Sequence, residues 1–277
     1  MKYKVALISI CLNTNYWQFY PPMVESAKKF FLKGHDVDFI CWSDMPPENP
    51  LGVKVIPTEP FEWPLPTLYR YHLFLREEKL LEEYDYIFYL DSDMKVVSKV
   101  GSEILGKNLT VAQHPMYAIR REYIPPYEPN VDSTAYIPRL GRIIETGGKK
   151  RLEPLYLAGG FQGGRTDVFI EAMKKMREMI DEDFTKNNHI PIWNDESIWK
   201  AYNFYNTPLT PRGIASGLIS DDIVVLDSSY IMPDSLNKVY YQKLWGRNYV
   251  PKIITLTKKF SLTADGGTNL QNTLNNM

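Results

Sequence analysis

The chain has 277 residues, 44% of them hydrophobic and 23% charged, which is the composition of a folded globular protein. Its formal net charge of −1 offers no basis for binding a polyanion, so no nucleic-acid partner is expected. No apolar run reaches the about 18 residues that a membrane helix needs, and no stretch resembles a signal peptide. We therefore expect a cytoplasmic protein without a transmembrane segment.

The first elements of the chain predict alternating strands and helices. The continuous apolar run 4–12 is typical of a strand that is buried on both faces. A helix is predicted from 22 to 34, and the alternating run 36–42 predicts a second strand. Cys11 and Cys41 lie in these two strands, where we expect buried thiols rather than a disulfide.

A predicted helix at 66–84 leads into a strand at 85–90, and Asp91 and Asp93 follow directly. Such elements open an α/β sheet, in which ligands bind at the carboxyl ends of the strands. In an extended chain residues two apart point to one side, so these carboxylates would repel each other unless a divalent cation offset their charge. The alternative is a polar turn that closes the strand, because Asp is common in turns.

The middle of the chain carries two unusual stretches. The stretch 114–153 is irregular and rich in Pro and Tyr, and its length predicts a lid or a binding loop. The stretch 156–164, YLAGGFQGG, has four glycines in a strand-like run, which indicates close approach of a backbone or a ligand. Thr166 is predicted to cap the helix that follows.

A second acidic pair, Asp195 and Glu196, begins a helix predicted within 190–204. On this pattern alone, the preference of acids for helix N-termini explains the pair, with Asp195 as the N-cap. A late strand is predicted at 221–227. The polar segment 262–277 is predicted to be disordered, which leaves 1–261 as one domain.

Several stretches together resemble glycosyltransferase family 6, the family of the blood-group A and B transferases, the α-1,3-galactosyltransferases and their bacterial and phage relatives. The resemblance covers roughly residues 4–260 and is carried by SAKKFFLKGH (26–35), YIFYLDSDM (86–94), HP (114–115), STAYIP (133–138), YLAGGFQGG (156–164) and WNDES (193–197). It implies an α/β protein of the GT-A fold, which is a Rossmann-like open mixed sheet flanked by helices in a single catalytic domain.

The resemblance also assigns roles to both acidic pairs. Asp91 and Asp93 match the family's D-x-D, which binds Mn²⁺, and Mg²⁺ would also suit these oxygen ligands. Glu196 matches the family's candidate nucleophile and also an acceptor contact, and Asp195 matches a ligand of a donor-sugar hydroxyl. The resemblance therefore favours metal and sugar chemistry over the turn and capping explanations.

Other matched positions divide into donor and acceptor contacts. The donor positions are Ile10, Cys11, Leu12 and Tyr16 around the uracil and ribose, Arg70 near the sugar, Ala158, Gly159 and Gly160 where galactose is sorted from N-acetylgalactosamine, and Lys258 toward the pyrophosphate. The acceptor positions are His114 and Trp193. The chain departs from the family pattern at Gln162, within the family's FFGG stretch, and at Asn194, where the family usually has His.

The activity that the resemblance implies is retaining, metal-dependent transfer of GalNAc, or Gal, from a UDP-sugar to a β-galactoside-terminated glycan in α-1,3 linkage. The expected partners are the UDP-sugar donor and the glycan acceptor. Gly160 has no side chain and is expected to leave room for an acetamido group, which favours GalNAc. The alternatives are a retaining GT-A transferase with another donor, such as UDP-glucose, and a non-catalytic sugar-binding protein of the same fold.

Overall fold

The structure, a computed structural model, describes residues 1–12, 14–45, 51–115, 127–138, 143–146, 149–152, 156–206, 223–235 and 249–258. The strands in these ranges are β1 (Lys4–Cys11), β2 (Asp36–Ser43), β3 (Lys54–Pro57), β4 (Tyr86–Leu90), β5 (Met94–Val96), β6 (Leu109–Gln113), β7 (Ile143–Thr146), β8 (Lys149–Leu152), β9 (Leu157–Arg165), β10 (Val224–Leu226), β11 (Met232–Pro233) and β12 (Ile253–Thr255). The helices are α1 (Thr14–Trp17), α2 (Tyr20–Phe30), α3 (Leu65–Leu68), α4 (Arg70–Arg76), α5 (Glu78–Leu81), α6 (Thr166–Thr185) and α7 (Asn194–Asn206).

The main sheet has the strand order β10-β6-β9-β4-β1-β2-β3. Its neighbouring strands are parallel except at β9, which runs antiparallel to both β4 and β6. A small second sheet has the order β11-β12-β5, and β7 pairs with β8 in a hairpin. The open mixed sheet expected from the sequence is therefore confirmed.

The main sheet lies between two hydrophobic clusters, because successive side chains along its central strands point to opposite faces. Along β1, Ala6 and Ile8 belong to one cluster, while Val5 and Leu7 belong to the other. Helices α6 and α7 pack into the first cluster and α2 into the second. Strand β1 is thus buried on both faces, as predicted.

The two cysteines and the glycine pair Gly163–Gly164 lie in buried strands of the main sheet. Cys11 and Cys41 are both buried and free, as predicted. Gly164 has a φ of +146°, and a Cβ on it would lie 2.4 Å from the carbonyl oxygen of Asn108. Gly164 therefore lets β9 lie close to the backbone at the start of β6. This close approach explains a glycine at the end of the stretch 156–164.

The predicted helix at 66–84 is wrong in its continuity, because the structure divides it into α3, α4 and α5. Nε of Arg70 donates a hydrogen bond to the carbonyl oxygen of Thr67 at 2.9 Å. In an uninterrupted helix that oxygen would accept from the amide of Tyr71. The break turns the Arg70 side chain back toward the sheet.

Other element bounds also differ from the sequence predictions. Helix α2 ends at Phe30 rather than near Gly34, and α6 begins at Thr166 without a side-chain cap from the residue before it. The stretch 114–153, predicted to be irregular, contains the hairpin of β7 and β8. No helix in the described ranges has the length and apolar character needed to cross a membrane. The segment 262–277 lies outside the described residues, so the boundary at 261 stays a prediction.

Candidate active site

Asp91 and Asp93 lie in the short connection where the main sheet meets the small one, between β4 and β5. The amide of Asp91 donates to the carbonyl oxygen of Gly160 at 3.1 Å, which joins the connection to β9. The Asp93 side chain is only 5% exposed, and Nζ of Lys258 lies 2.9 Å from its Oδ2. Burial raises the pKa of Asp93, and Lys258 acts in the opposite direction.

A cavity of about 310 Å³ opens beside this connection. Residues from six parts of the chain line it, and five of them are residues that the sequence predicted for the site: Asp91, His114, Ala158, Gly160 and Glu196. The rest of the lining includes Pro233 and Thr255 of the small sheet and the adjoining residues Ile231, Leu256 and Thr257. One residue of each acidic pair, Asp91 and Glu196, therefore lines the same cavity, although the pairs are about a hundred residues apart in the chain.

The side chain of Arg70 lies between the two acidic pairs and contacts one residue of each. Its side chain is 4% exposed, with Nη1 3.1 Å from Oδ2 of Asp195 and Nη2 3.7 Å from Oδ1 of Asp91. The guanidinium also stacks over the ring of Tyr89, 4.3 Å from the ring centroid. Burial raises the pKa of Asp195 to about 7, while Arg70 acts in the opposite direction.

The predicted N-cap role of Asp195 is wrong. Helix α7 begins at Asn194, so Asp195 lies inside its first turn, and its carboxylate pairs with Arg70 instead of capping the helix. Glu196 lines the cavity, and its Oε2 accepts a hydrogen bond from the amide of Gly159 at 2.9 Å. Its other oxygen, Oε1, lies 3.7 Å from Nζ of Lys200, one helical turn further on.

The residues predicted to hold the nucleotide lie at the carboxyl end of β1 and just after it. Ile10, Cys11 and Leu12 are buried, and Tyr16 is half-buried on α1. Nζ of Lys258 donates to the Tyr16 hydroxyl at 3.5 Å and lies 5.0 Å from its ring centroid. Lys258 therefore joins Tyr16 to Asp93.

The other two predicted acceptor residues, His114 and Trp193, lie in different surroundings. His114 lines the cavity and packs edge-on against Tyr156, with 5.6 Å between ring centroids. Burial lowers the pKa of His114, and Glu196 opposes that shift. Trp193 is half-buried just before α7, and its amide donates to Oγ of Ser197 at 3.1 Å.

The structure does not support the sequence argument that Gly160 leaves room for an acetamido group. A Cβ on Gly160 would lie 2.4 Å from Cε of Met94 and 2.6 Å from Oδ2 of Asp91. The space beside this glycine is therefore filled by side chains of the site itself. The glycine lets the Asp91 carboxylate occupy its position.

The sequence assigned no role to three polar residues around the site. The Tyr89 hydroxyl donates to Oδ1 of Asp91, and Gln162 donates through Nε2 to the carbonyl oxygen of Gly159 at 2.9 Å. The third is Lys200. Tyr89, in β4, precedes Asp91 by two residues, and Lys200 follows Glu196 by four in a helix, so the periods of an extended chain and of a helix place each on the same side as its acid.

The donor set at the D-x-D fits a hard divalent cation. Within the described ranges no group of three or more His, Cys, Asp or Glu side chains is placed to hold a metal ion. Two carboxylates suffice for Mg²⁺-like ions, whose remaining ligands are commonly water and substrate phosphate. The room that Gly160 leaves for Asp91 and the cavity beside it agree with such a shared site.

A seven-stranded mixed sheet flanked by helices, with acidic residues at the carboxyl end of a central strand, defines an α/β domain of the GT-A type. The chain belongs to glycosyltransferase family 6, whose profile matches residues 2–216. This match confirms the resemblance that the sequence motifs indicated.

Three relatives illustrate the range of the family. The chain is 30% identical over 195 residues to rat histo-blood group ABO system transferase 1, covering 67% of this chain and 52% of the relative. It is 30% identical over 186 residues to Escherichia coli O-antigen biosynthesis glycosyltransferase WbnI, covering 67% and 72%. It is 28% identical over 204 residues to human globoside alpha-1,3-N-acetylgalactosaminyltransferase 1, covering 70% and 55%. The chain spans about half the length of the mammalian relatives it matches.

Proposed function

We propose that the protein is a retaining, divalent-metal-dependent glycosyltransferase. It moves GalNAc, or Gal, from a UDP-sugar to a β-galactoside-terminated glycan in α-1,3 linkage. The observation that supports the proposal is that Asp91 and Glu196 line one cavity, which would bring a pyrophosphate site and a sugar-facing carboxylate together. The linkage and GalNAc are supported by the name of the human globoside relative.

Asp91 and Asp93 are the residues that would hold Mn²⁺ or Mg²⁺. The bound ion supplies a Lewis acid that neutralises charge on the departing diphosphate. Lys258, which contacts Asp93 and Tyr16, offers a second positive charge to the same diphosphate. Tyr16 covers the base at the end of β1, where Ile10, Cys11 and Leu12 form the wall.

The donor sugar lies against the start of β9 and the first turn of α7. Asp195, held by Arg70, binds a sugar hydroxyl, and Ala158 and Gly159 limit the space around the ring. Glu196, oriented by the amide of Gly159, acts at the anomeric carbon as nucleophile or as a negative charge beside a developing cation. His114 and Trp193 contact the acceptor.

The test is release of UDP from UDP-GalNAc, UDP-Gal and UDP-glucose with Mn²⁺, with and without a β-galactoside acceptor. We expect acceptor-dependent release from one of the first two donors, and a product with an α-1,3 linkage by NMR. Preference for UDP-glucose would support the transferase with another donor. Binding of a glycan without release from any donor would support the sugar-binding protein.

A further inference from the structure

Lys200 is buried beside Glu196, although a lysine in a helix is usually exposed to solvent. Its side chain is 3% exposed, and Nζ lies 3.7 Å from Oε1 of Glu196. This distance is that of an ion pair and is longer than a hydrogen bond. The other carboxylate oxygen of Glu196 is already held by the amide of Gly159.

The other side of the ammonium is aromatic. Nζ lies 3.6 Å from the ring centroid of Tyr156 and 5.7 Å from that of Tyr127. In the described part of the chain Nζ has no hydrogen-bond acceptor, and Glu196 is the one carboxylate within ion-pair distance. Aromatic faces attract a cation but do not neutralise it, so Glu196 supplies the counter-charge.

The charge of this pair depends on what Glu196 is bonded to. With a free carboxylate, Glu196 and Lys200 together are neutral. If the sugar were bonded to Glu196, the carboxylate would become an ester, and the buried ammonium would lose its nearest counter-charge and keep only the weaker attraction of Asp195 and Glu128. A poorly compensated buried charge is costly, so the lysine raises the energy of the ester relative to the carboxylate.

We propose that Lys200 is a positioning residue that acts through Glu196 to keep a glycosyl ester from accumulating on the enzyme. The inference rests on the proposed function and deepens it. Lys200 thereby favours passage of the sugar to the acceptor, or its return to UDP, over its retention on Glu196. The ion pair with Glu196 and the aromatic surroundings carry the inference.

Lys200 influences two successive steps, in each of which one bond to the anomeric carbon forms as another breaks. An oxygen of Glu196 bonds to the anomeric carbon while the bond from that carbon to the UDP oxygen breaks, and the electron pair leaves on UDP. The acceptor hydroxyl then bonds to the same carbon, and the ester electron pair returns to Glu196. The hydroxyl proton goes to a phosphate oxygen of the UDP.

The test replaces Lys200 with Met, whose unbranched side chain is one atom shorter than that of lysine and carries no charge. Enzyme, Mn²⁺ and UDP-GalNAc or UDP-Gal are mixed without acceptor. We expect a burst of UDP and a mass increase of one sugar on the peptide that contains Glu196. The fraction of enzyme carrying the sugar should rise by at least about tenfold over wild type. This figure takes the attraction between Lys200 and Glu196 at an effective dielectric constant near 20 and reduces it because the glutamate is partly exposed.

Matched variants separate this outcome from a general disturbance of α7. Lys200→Arg keeps the charge and should show no burst, and Trp199→Phe disturbs packing in the same helix without changing charge and should behave like wild type. Lys200→Met combined with Glu196→Gln should give no adduct. Where Lys200→Met does not fold, as judged by melting and UDP binding, Lys200→Gln removes the same charge and serves in its place.

A folded Lys200→Met that binds UDP and shows neither adduct nor burst overturns the inference, provided that wild type transfers sugar and Glu196→Gln is impaired. An inactive wild type that Glu196→Gln leaves unchanged overturns the proposed function instead. An adduct on another residue would overturn the assignment of Glu196 and, with it, the inference.

Discussion

Arg70 of α4 and Asp195 of α7 form a buried ion pair, with 3.1 Å between Nη1 and Oδ2. The same guanidinium reaches Oδ1 of Asp91 at 3.7 Å, so one side chain connects the D-x-D to the helix that carries Glu196. Loss of one partner of a buried pair leaves the other charge uncompensated. Changes at Arg70 should therefore affect stability and activity together.

Replacing Arg70 with Met should lower the free energy of unfolding by about 3–5 kcal/mol, as expected for the loss of one partner of a buried pair. Arg70→Lys should retain more stability but still lose turnover, because a single ammonium cannot reach two carboxylates as a planar guanidinium does. Urea unfolding of both variants measures the effect. The control is Arg165→Met, which breaks an exposed pair with Asp167 and should change the free energy of unfolding far less, because solvent screens such a pair. A cost for Arg70→Met within the range of the control would contradict this account of Arg70.

The ammonium of Lys258 lies 2.9 Å from Oδ2 of Asp93, where it would compete with a metal ion for that carboxylate. We expect EDTA to abolish activity and Mn²⁺ to restore it. In calorimetric titration of the free protein, Asp93→Asn should weaken Mn²⁺ binding, whereas Lys258→Met should strengthen it while raising KM for the donor. Full activity in EDTA, or equal Mn²⁺ affinity in all three proteins, would be incompatible with a metal held at the D-x-D.

Much of the fold could be predicted because its signals are local. The run at 4–12 is apolar on both faces, and the structure buries β1 between two clusters. The antiparallel position of β9 could not be predicted, because strand order depends on contacts between residues far apart in the chain. Strands β5, β11 and β12 of the small sheet are two or three residues long, too short to show a period.

The site shows the same division. Asp91 and Asp93 are conspicuous because two acids end an apolar strand, whereas Asp195 and Glu196 resemble an ordinary helix start. The position of Arg70 between the two acidic pairs and the burial of Lys200 depend on tertiary contacts between residues far apart in the chain. A cation on a helix is usually solvated, so no single-sequence pattern marks those that are buried.

Gly160→Ala should reduce activity with every donor rather than exchange one donor for another. The new methyl group would meet Cε of Met94 at 2.4 Å and Oδ2 of Asp91 at 2.6 Å, so the carboxylate must move. We expect weaker Mn²⁺ binding together with lower turnover on UDP-GalNAc and UDP-Gal. A change in the ratio of the two donors at unchanged Mn²⁺ affinity would favour the original donor-size argument. Gly159→Ala is the matched control, because its Cβ would meet Asp195 and Glu196 at 3.0 Å and leave Asp91 untouched.

Lys200 should also give the stability of the protein a defined pH dependence. Burial lowers the pKa of Lys200 from 10.5 to about 8, with Glu196 opposing the shift. Between these values the unfolded chain holds a proton that the folded protein has released, so stability from this residue rises with pH. It is fully present above about pH 10.5 and is lost as pH falls through 8. The groups that face Lys200 are Asp195, Glu196, Glu128, His114, Tyr127 and Tyr156.

The measurement is urea unfolding of wild type and Lys200→Met from pH 7 to 10.5. The stability of wild type relative to the variant should increase across this range, and subtracting the variant removes the contribution of the other groups. Lys200→Arg stays charged throughout and should show no such increase relative to Lys200→Met. A difference that does not change with pH would mean that Lys200 keeps the same charge in both states.

Glu196→Gln distinguishes a catalytic carboxylate from a first-turn helix acid. A helix acid contributes a few tenths of a kcal/mol to about 1 kcal/mol through the helix dipole, and its loss leaves turnover nearly unchanged. If Glu196 instead faces the anomeric carbon, its replacement removes a negative charge from beside a developing cation. Turnover should then fall by roughly 10²–10⁴-fold, while donor binding through the metal and Tyr16 survives.

The structure adds a stability effect, because Glu196→Gln leaves the Lys200 ammonium buried without its carboxylate. The free energy of unfolding should fall by roughly 1–3 kcal/mol, less than for a fully buried pair since Glu196 is partly exposed. Adding Lys200→Met to Glu196→Gln should recover most of that loss without restoring turnover, which is the non-additivity expected of a contacting pair. Turnover and urea unfolding are measured for the four proteins of this cycle. Turnover of Glu196→Gln within about threefold of wild type would exclude Glu196 as the catalytic carboxylate. Additive changes in the free energy of unfolding would exclude an energetic coupling between Glu196 and Lys200.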